Sequence, residues 1–452
     1  MADAREGARD LVEAVTTGFT EFPAPAPDPG GDGPIDWAGY GEARRRAVER
    51  TGEQESVVCG VGTVGGVRAT LIAFEFGFLG GSLGRRTGDR IEAAFARARE
   101  LGTPVVTLIA TGGSRMQEGM AALSQLQRIA GQIALARAAR VPLLSVLRDP
   151  ATGGGWATLG AAADVTLALP GAQVGFAGSR VRPGGQRGYA PTAYTAESHL
   201  ATGQVDQIVP RDELPQRLAR WLALLTGADG RPADPPAALG TGPLPGSGWE
   251  SVTAARAPER PRADAYLDDY FDWRQDISGD RCGGVDPGVR CGFGSRRGVT
   301  VAYAAQCGTP TLPAGFRTAA RLIRLADRLR VPVLTLVDTP GAANDAEAER
   351  AGAGPAIAEV FTAVAEADVP ITTLVIGEGG SGGALAFAAP GRTWITPDAY
   401  FSVTSPEAAT AILKLPSTEV RAVAGRLRLR PGDLAELGLA EVRTGREVGG
   451  TA

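Results

Sequence analysis

GTPVVTLIATGG (Gly102 to Gly113) and RVPVLTLVDTPG (Arg330 to Gly341) decide the fold, because each carries a short apolar run ending on glycine and the two read as copies. Pro104 and Pro332 lie 228 residues apart (332 − 104). A second pair, RVPLLSVLRDPATGGG (Arg140 to Gly155) and DVPITTLVIGEGGSGG (Asp368 to Gly383), repeats the offset at Pro142 and Pro370 (370 − 142 = 228). Two coincidences at one spacing indicate a tandem duplication of a strand, glycine turn, helix unit. The runs VVTLIA, LLSVL, VLTLV and TTLVI are short, β-rich and continuously apolar, as in strands buried on both faces. Between them DRIEAAFARARELG, MQEGMAALSQLQRIAGQIALARAA, FRTAARLIRLADRLR and AIAEVFTAVAEA carry apolar residues at helical spacing. Strands alternating with helices predict an α/β fold.

The 452 residues exceed what one core usually supports, so two domains are expected. A Pro/Gly-rich stretch, TGADGRPADPPAALGTGPLPGSG, interrupts the apolar periodicity and marks a linker. The expected organisation is an N-terminal arm over 1–55, a first domain over 56–225, a linker over 226–262 and a second domain over 263–452. The function of the arm is not legible.

Composition excludes several classes. A net charge of −4, with arginines spread along helical faces, argues against nucleic acid. Cys59, Cys282, Cys291 and Cys307 lack CxxC spacing, and His199 is the single histidine, so no metal cluster is expected and a reducing compartment is. No run approaches the roughly 20 apolar residues of a membrane helix, and MADAREGARD has no apolar core; no membrane partner and a cytoplasmic location are the expectation.

The glycine corners are the chemical candidates. A strand running through glycines into a helix gathers bare N–H groups at the positive end of the helix dipole, where a developing negative oxygen is stabilised. Four such corners occur: TGGSR (Thr111 to Arg115), TGGGW (Thr152 to Trp156), TPGA (Thr339 to Ala342) and GGSGGA (Gly379 to Ala384). A single glycine pair is more often a packing device; the same corner recurring at one offset favours function. A Ser-His-Asp or Cys-His scheme would need His199, whose context, AESHLATGQVDQIV, reads as a peripheral helix and turn. GVGTVGG (Gly60 to Gly66) lacks a following helix and reads as a hairpin rather than a dinucleotide loop. Arg85 and Arg86 head a helix, where a phosphate or plain solvent are the two readings.

These motifs carry a family resemblance. FEFGFLGGSLG (Phe74 to Gly84), TGGSRMQEG (Thr111 to Gly119), SVLRDPATGG (Ser145 to Gly154), GFAGSRV (Gly175 to Val181) and GQVDQIVPRDEL (Gly203 to Leu214) resemble the β subunit of bacterial acetyl-CoA carboxylase carboxyltransferase. GFRTAARLI (Gly315 to Ile323), DTPGA (Asp338 to Ala342), VIGEGGSGGALA (Val375 to Ala386) and SVTSPEAATAIL (Ser402 to Leu413) resemble its α subunit. The resemblance implies two tandem crotonase-like (ClpP/crotonase) ββα superhelix domains, with active sites formed between an N-half and a C-half of opposing protomers. It implies that Gly153 and Gly154 hold a coenzyme A thioester oxygen as the enolate forms. Gly112, Gly113 and Arg115, with Phe176 and Gly178, would border the coenzyme A ester. Gly382, Gly383 and Ala384 would hold the ureido oxygen of biotin. It further implies carboxyl transfer from carboxybiotin to acetyl-CoA or a related short acyl-CoA, with a biotin carboxyl carrier protein and a biotin carboxylase as partners and a homo-oligomeric assembly.

The chain departs from the pattern at three places. The four-cysteine zinc ribbon of the β subunit has no counterpart; the segment between YAAQCGT and LPAGF is shorter than the family's basic loop; and ANDAEAERAGAGPA replaces a glycine-rich stretch after DTPGA. Two alternatives therefore accompany the main reading: a biotin-independent decarboxylase of malonyl-CoA or a malonyl carrier protein, and a non-catalytic acyl-CoA-binding scaffold.

Overall fold

The computed structural model describes residues 6–23, 31–178 and 191–445. The chain divides into two compact units, Met1–Thr226 and Gly227–Ala452. In the first, the strands are β1 (Thr17–Glu21), β2 (Val57–Val64), β3 (Val67–Phe74), β4 (Val105–Thr111), β5 (Leu143–Thr152), β6 (Val165–Ala168), β7 (Val174–Gly175) and β8 (Gln207–Ile208). They form one sheet in the order β1-β2-β3-β4-β5-β6-β8, with β7 beside the end of β5. The first three strands pair antiparallel and the rest parallel. Every residue of β4 is buried, as its continuous apolar run requires. The helix Arg85–Leu101 lays Ile91, Ala94, Phe95 and Ala98 on that sheet, the spacing of one helical face. The hairpin expected at GVGTVGG is present: Gly65 and Gly66 both adopt positive φ between β2 and β3, which a two-residue turn of this hand demands.

The second unit repeats the plan. Its strands are β9 (Trp273–Ile277), β10 (Val289–Arg296), β11 (Val299–Gln306), β12 (Val333–Thr339), β13 (Ile371–Gly380), β14 (Thr393–Ile395), β15 (Tyr400–Ser402) and β16 (Glu441–Val442). The order is β16-β14-β13-β12-β11-β10-β9, with β15 beside the end of β13. The duplication extends to register. Val105 pairs with Leu143 and, after an irregularity, Thr111 with Ala151; 228 residues later Val333 pairs with Ile371 and, after the same irregularity, Thr339 with Gly379. The helices Arg85–Leu101 and Pro313–Leu329 also start and stop 228 residues apart, each closed by a left-handed residue, Gly102 and Arg330.

The segments flanking the first domain carry structure of their own. Among the described residues of 1–55, the helix Ala8–Val15 buries Leu11, Val12 and Val15, β1 adds an edge strand, and the helix Tyr40–Thr51 buries Tyr40 and Ala47; most of the Pro/Gly stretch that suggested an arm lies outside the described residues. Residues 226–262 are no free linker. Their backbone is strapped to the second unit, where Thr372 Oγ1 donates to Ala233 O (2.8 Å) and Arg443 Nη2 to Pro235 O (3.1 Å), and they include the helix Gly248–Arg256. Both segments look irregular in sequence because their hydrogen bonds go to distant partners.

Candidate functional site

β5 runs straight into a helical turn, Gly153–Gly155, whose first N–H groups have no acceptor within the helix. Gly153 has φ +66. A Cβ on Gly153 would lie 2.8 Å from Gly113 Cα, so the two corners TGGSR and TGGGW touch backbone to backbone. The contact demands glycine at Gly153, while at Gly113 it is the positive φ of +109 that favours it. β7 pairs Val174 with Ala151 and Gly175 with Thr152, which delivers the next residues to the corner. Phe176 is 74% exposed there, and an added Cβ on Gly178 would sit 3.8 Å from Thr152 Oγ1. Ser179 to Val181 of the GFAGSRV motif lie outside the described residues.

The turn of Gly112, Gly113 and Arg115 is tied into the protein itself. The Gly112 N–H donates to Gly80 O (2.9 Å) and the Gly113 N–H to Thr111 Oγ1 (3.0 Å), so neither is a free oxygen donor. Arg115 is 1% exposed. Its guanidinium meets Glu55 Oε1 (2.5 Å), Glu118 Oε1 (3.2 Å), Tyr40 Oη (3.1 Å) and Ser82 O (2.8 Å). It anchors the turn from behind instead of reaching toward a ligand. Burial opposes ionisation of Glu55, but the Arg115 charge and hydrogen bonds outweigh it and hold the carboxyl below its ordinary value of 4.5. A depressed carboxylate stabilises the fold above its unfolded value and ceases to as pH falls through the folded one. Melting temperature should therefore drop as pH is lowered below about 4.5, and Glu55→Gln should flatten that dependence.

Two further readings are settled by geometry. The N-terminus of the Arg85–Leu101 helix is occupied, since Arg85 N–H donates to Glu118 Oε2 (2.5 Å), which leaves the carboxylate where a phosphate would sit. His199 is buried rather than peripheral. It packs edge-on against Trp156 (ring centroids 5.4 Å apart) and bonds Val174 O and Gln204 Oε1. Burial lowers its pKa despite those bonds, so it backs the corner as a neutral ring.

In the second unit β13 runs into the helix Ser381–Leu385. Ser381 (φ +60) stands 228 residues after Gly153 and shares its left-handed backbone. Gly382 is exposed, while Gly383 and Ala384 are buried beneath it. The facing turn repeats three of the first unit's bonds. Gly341 N–H donates to Thr339 Oγ1 (3.1 Å), Thr311 N–H to Gly341 O (3.0 Å) and Ala343 N–H to Thr311 O (2.9 Å). The first-unit equivalents are Gly113 to Thr111 (3.0 Å), Leu83 to Gly113 (2.9 Å) and Arg115 to Leu83 (2.9 Å). Glu378, the carboxylate nearest this corner in sequence, is held by Arg256 (2.8 Å) and Tyr400 Oη (2.8 Å) and is not a poised base. Each unit thus presents the N–H groups of a helix start in a turn without bulky side chains, an arrangement that suits a negative oxygen. Neither corner carries a histidine or a free carboxylate among these residues.

Gly154→Val is expected to lower the melting temperature as well as turnover. The Gly154 Cβ direction points into packing, 2.3 Å from Leu126 Cδ2, and overpacking of this kind costs about 1–3 kcal/mol. Thermal unfolding run beside the activity assay separates the two effects. The residues that sequence reading passed over, Tyr40, Glu55, Asp338 and Arg260, are all buried polar groups. Their only sequence signal is ionisable or phenolic character beside apolar runs.

Comparison with known proteins follows the same division. A carboxyl transferase domain family matches residues 34–215, and an acetyl co-enzyme A carboxylase carboxyltransferase-like family matches 247–451. Acetyl-coenzyme A carboxylase carboxyl transferase subunits beta/alpha from Salinispora arenicola is 40% identical over 95% of this chain and 80% of its own length. The protein of the same name from Clostridium tetani is 33% identical over 90% of this chain and 74% of its own. Among solved structures, transcarboxylase 12S, described as a hexamer assembly, superposes with a TM-score of 0.80 over 97% of this chain and 87% of that one, at 20% identity. A single-chain, multi-domain long-chain acyl-CoA carboxylase superposes with a TM-score of 0.77 over 98% of this chain and 45% of that one, at 19% identity. These two likenesses are of fold, the tandem crotonase-like α/β architecture. With glycine corners duplicated in register and relatives aligned over nearly its whole length, the chain belongs to the acetyl-CoA carboxylase carboxyl transferase family, β-like and α-like parts fused, and is a carboxyltransferase.

Proposed function

We propose that the chain transfers a carboxyl group from carboxybiotin, borne on a carrier protein charged by a biotin carboxylase, to acetyl-CoA or a related short acyl-CoA. The observation that carries this reading is the pair of corners, each a strand running into a helix start that no N-cap side chain caps among the described residues. Gly153 and Gly154 hold the thioester oxygen as the enolate develops, with Phe176 and Gly178 bordering the coenzyme A ester. Gly382, Gly383 and Ala384 hold the ureido oxygen. Carboxybiotin supplies the carboxyl group and, once that is released, the ureido nitrogen that takes the α-proton; the chain's own groups bind and orient. One such oxyanion donor is worth about 3–4 kcal/mol in a transition state. A homo-oligomer completes the proposal. No helix among the described residues is long and apolar enough to cross a membrane, and none of their His, Cys, Asp and Glu side chains cluster to hold a metal.

The test is incorporation of labelled bicarbonate into acetyl-CoA. Incorporation that requires both a biotin carboxylase and a biotinylated carrier is the expected result. Loss of carbon dioxide from malonyl-CoA by the chain alone, with no dependence on biotin, would replace the proposal with the decarboxylase. Acyl-CoA binding with neither reaction would leave the scaffold.

A further inference from the structure

Both corners are pinned from behind by a buried charge knot, and the two knots are built differently. In the first unit the cation is on the turn: Arg115 pairs with Glu55 and Glu118, and the Tyr40 hydroxyl donates to Glu118 and accepts from Arg115. In the second the anion is on the turn. Asp338, 0% exposed, takes Arg260 Nη2 at 2.5 Å and Arg262 Nη1 at 3.3 Å. Its Oδ1 also accepts from Glu378 N–H (3.1 Å), and Arg260 Nη1 reaches Ile376 O (3.1 Å), so this knot ties the end of β12 to the end of β13. Duplication does not explain the pair. The residue 228 after Arg115 is Ala343, and the residue 228 before Asp338 is Ala110.

A buried ion pair seldom stabilises a fold better than apolar side chains of the same size, because desolvation offsets the attraction. Packing alone therefore gives little reason for two unrelated knots at equivalent corners. What a knot does supply is direction. The turn that Arg115 fixes touches Gly153 through Gly113, and the turn that follows Asp338 sits under Gly383 through Ala342. In each unit one partner comes from a segment preceding the repeated core: Tyr40 from the helix Tyr40–Thr51, and Arg260 from the stretch after the helix Gly248–Arg256.

We infer that Tyr40 and Arg260 are positioning residues for carboxyl transfer, each holding one glycine corner in register from outside the duplicated core. The inference rests on the reading of these corners as the oxygen-binding sites. A displacement of about 1 Å at a reacting centre costs on the order of a hundredfold in rate. Tyr40→Phe keeps the buried ring and removes only the hydroxyl. In the full chain, supplied with biotin carboxylase and carrier, it should lower kcat about tenfold or more, a partial loss of that positioning. Its KM for acyl-CoA should change less than about twofold, since the groups that touch substrate are intact and ground-state binding is not what the knot supplies. Arg260→Gln should lower kcat similarly, and Arg260→Lys, which keeps the charge but not the planar fork, should recover part of the loss. If Arg260→Gln does not fold, Tyr40→Phe and Arg260→Lys decide the matter. An active wild-type chain whose Tyr40→Phe and Arg260→Lys variants keep full kcat overturns the inference and leaves the function standing. A wild-type chain with no biotin-dependent transfer removes the functional reading and the inference together.

Discussion

Gly383→Ala should reduce carboxyl transfer by two to three orders of magnitude while the protein still folds. An added Cβ would lie 2.4 Å from Ala342 N and 3.0 Å from Gly341 C, both backbone atoms, so no rotamer change can relieve the contact. Gly383 lies within the helix Ser381–Leu385 and is not among the left-handed glycines. Alanine is the best helix former, so propensity alone would favour the substitution. The loss therefore measures the approach of two backbones. To admit one methyl group the turn Thr339–Ala342 and the helix start must separate, which moves N–H donors that need to stand about 2.7–3.1 Å from the bound oxygen. Removing one such donor costs about 10²–10³ in kcat. Steady-state kinetics with carboxylated carrier, beside circular dichroism, is the measurement. A folded Gly383→Ala protein with wild-type turnover would show that the corner does no chemical work.

The second large effect is on stability. Arg115→Met is expected to cost about 3–5 kcal/mol, the usual consequence of leaving one member of a buried ion pair without its partner. Glu55 is 1% exposed and would face the apolar thioether side chain, keeping the Ser56 N–H (2.8 Å), the Thr87 hydroxyl (3.1 Å) and the charge of Arg44 but losing its buried guanidinium partner. Adding Glu55→Gln to Arg115→Met should return part of the lost stability, because the stranded charge is then gone; the double-mutant cycle isolates that coupling. Urea unfolding, followed through the transition that reports on residues 1–226, provides the comparison. Additive losses would mean that the pair contributes no coupling.

Much of the fold was legible because burial on both faces writes itself as continuous apolar runs. VVTLIA and VLTLV begin β4 and β12 at the same residues, each strand running one or two residues further, and the 228-residue offset carried over to strand register, helix length and turn hydrogen bonds. The glycine corners were legible for a related reason, since at Gly153 and Gly383 a Cβ would strike backbone. What periodicity does not disclose is a partner far along the chain. Arg115 sits inside TGGSRMQEG and reads as a ligand-facing cation; only the fold shows Glu55, sixty residues earlier, closing over it. The same holds for Arg260, in a Pro-rich stretch that gives no sign of Asp338, seventy-eight residues on. TGFTE looked like part of an arm because an edge strand buries little and so has no strong apolar pattern.

If main-chain N–H groups at the two corners take the charge of substrate oxygens, amide hydrogen exchange reads those groups directly. Acyl-CoA should slow exchange in the peptide spanning Gly153 to Trp156, and biotin should slow it in the peptide spanning Gly382 to Leu385. Binding of both ligands with exchange unchanged at these corners, and protection appearing elsewhere, would contradict the account.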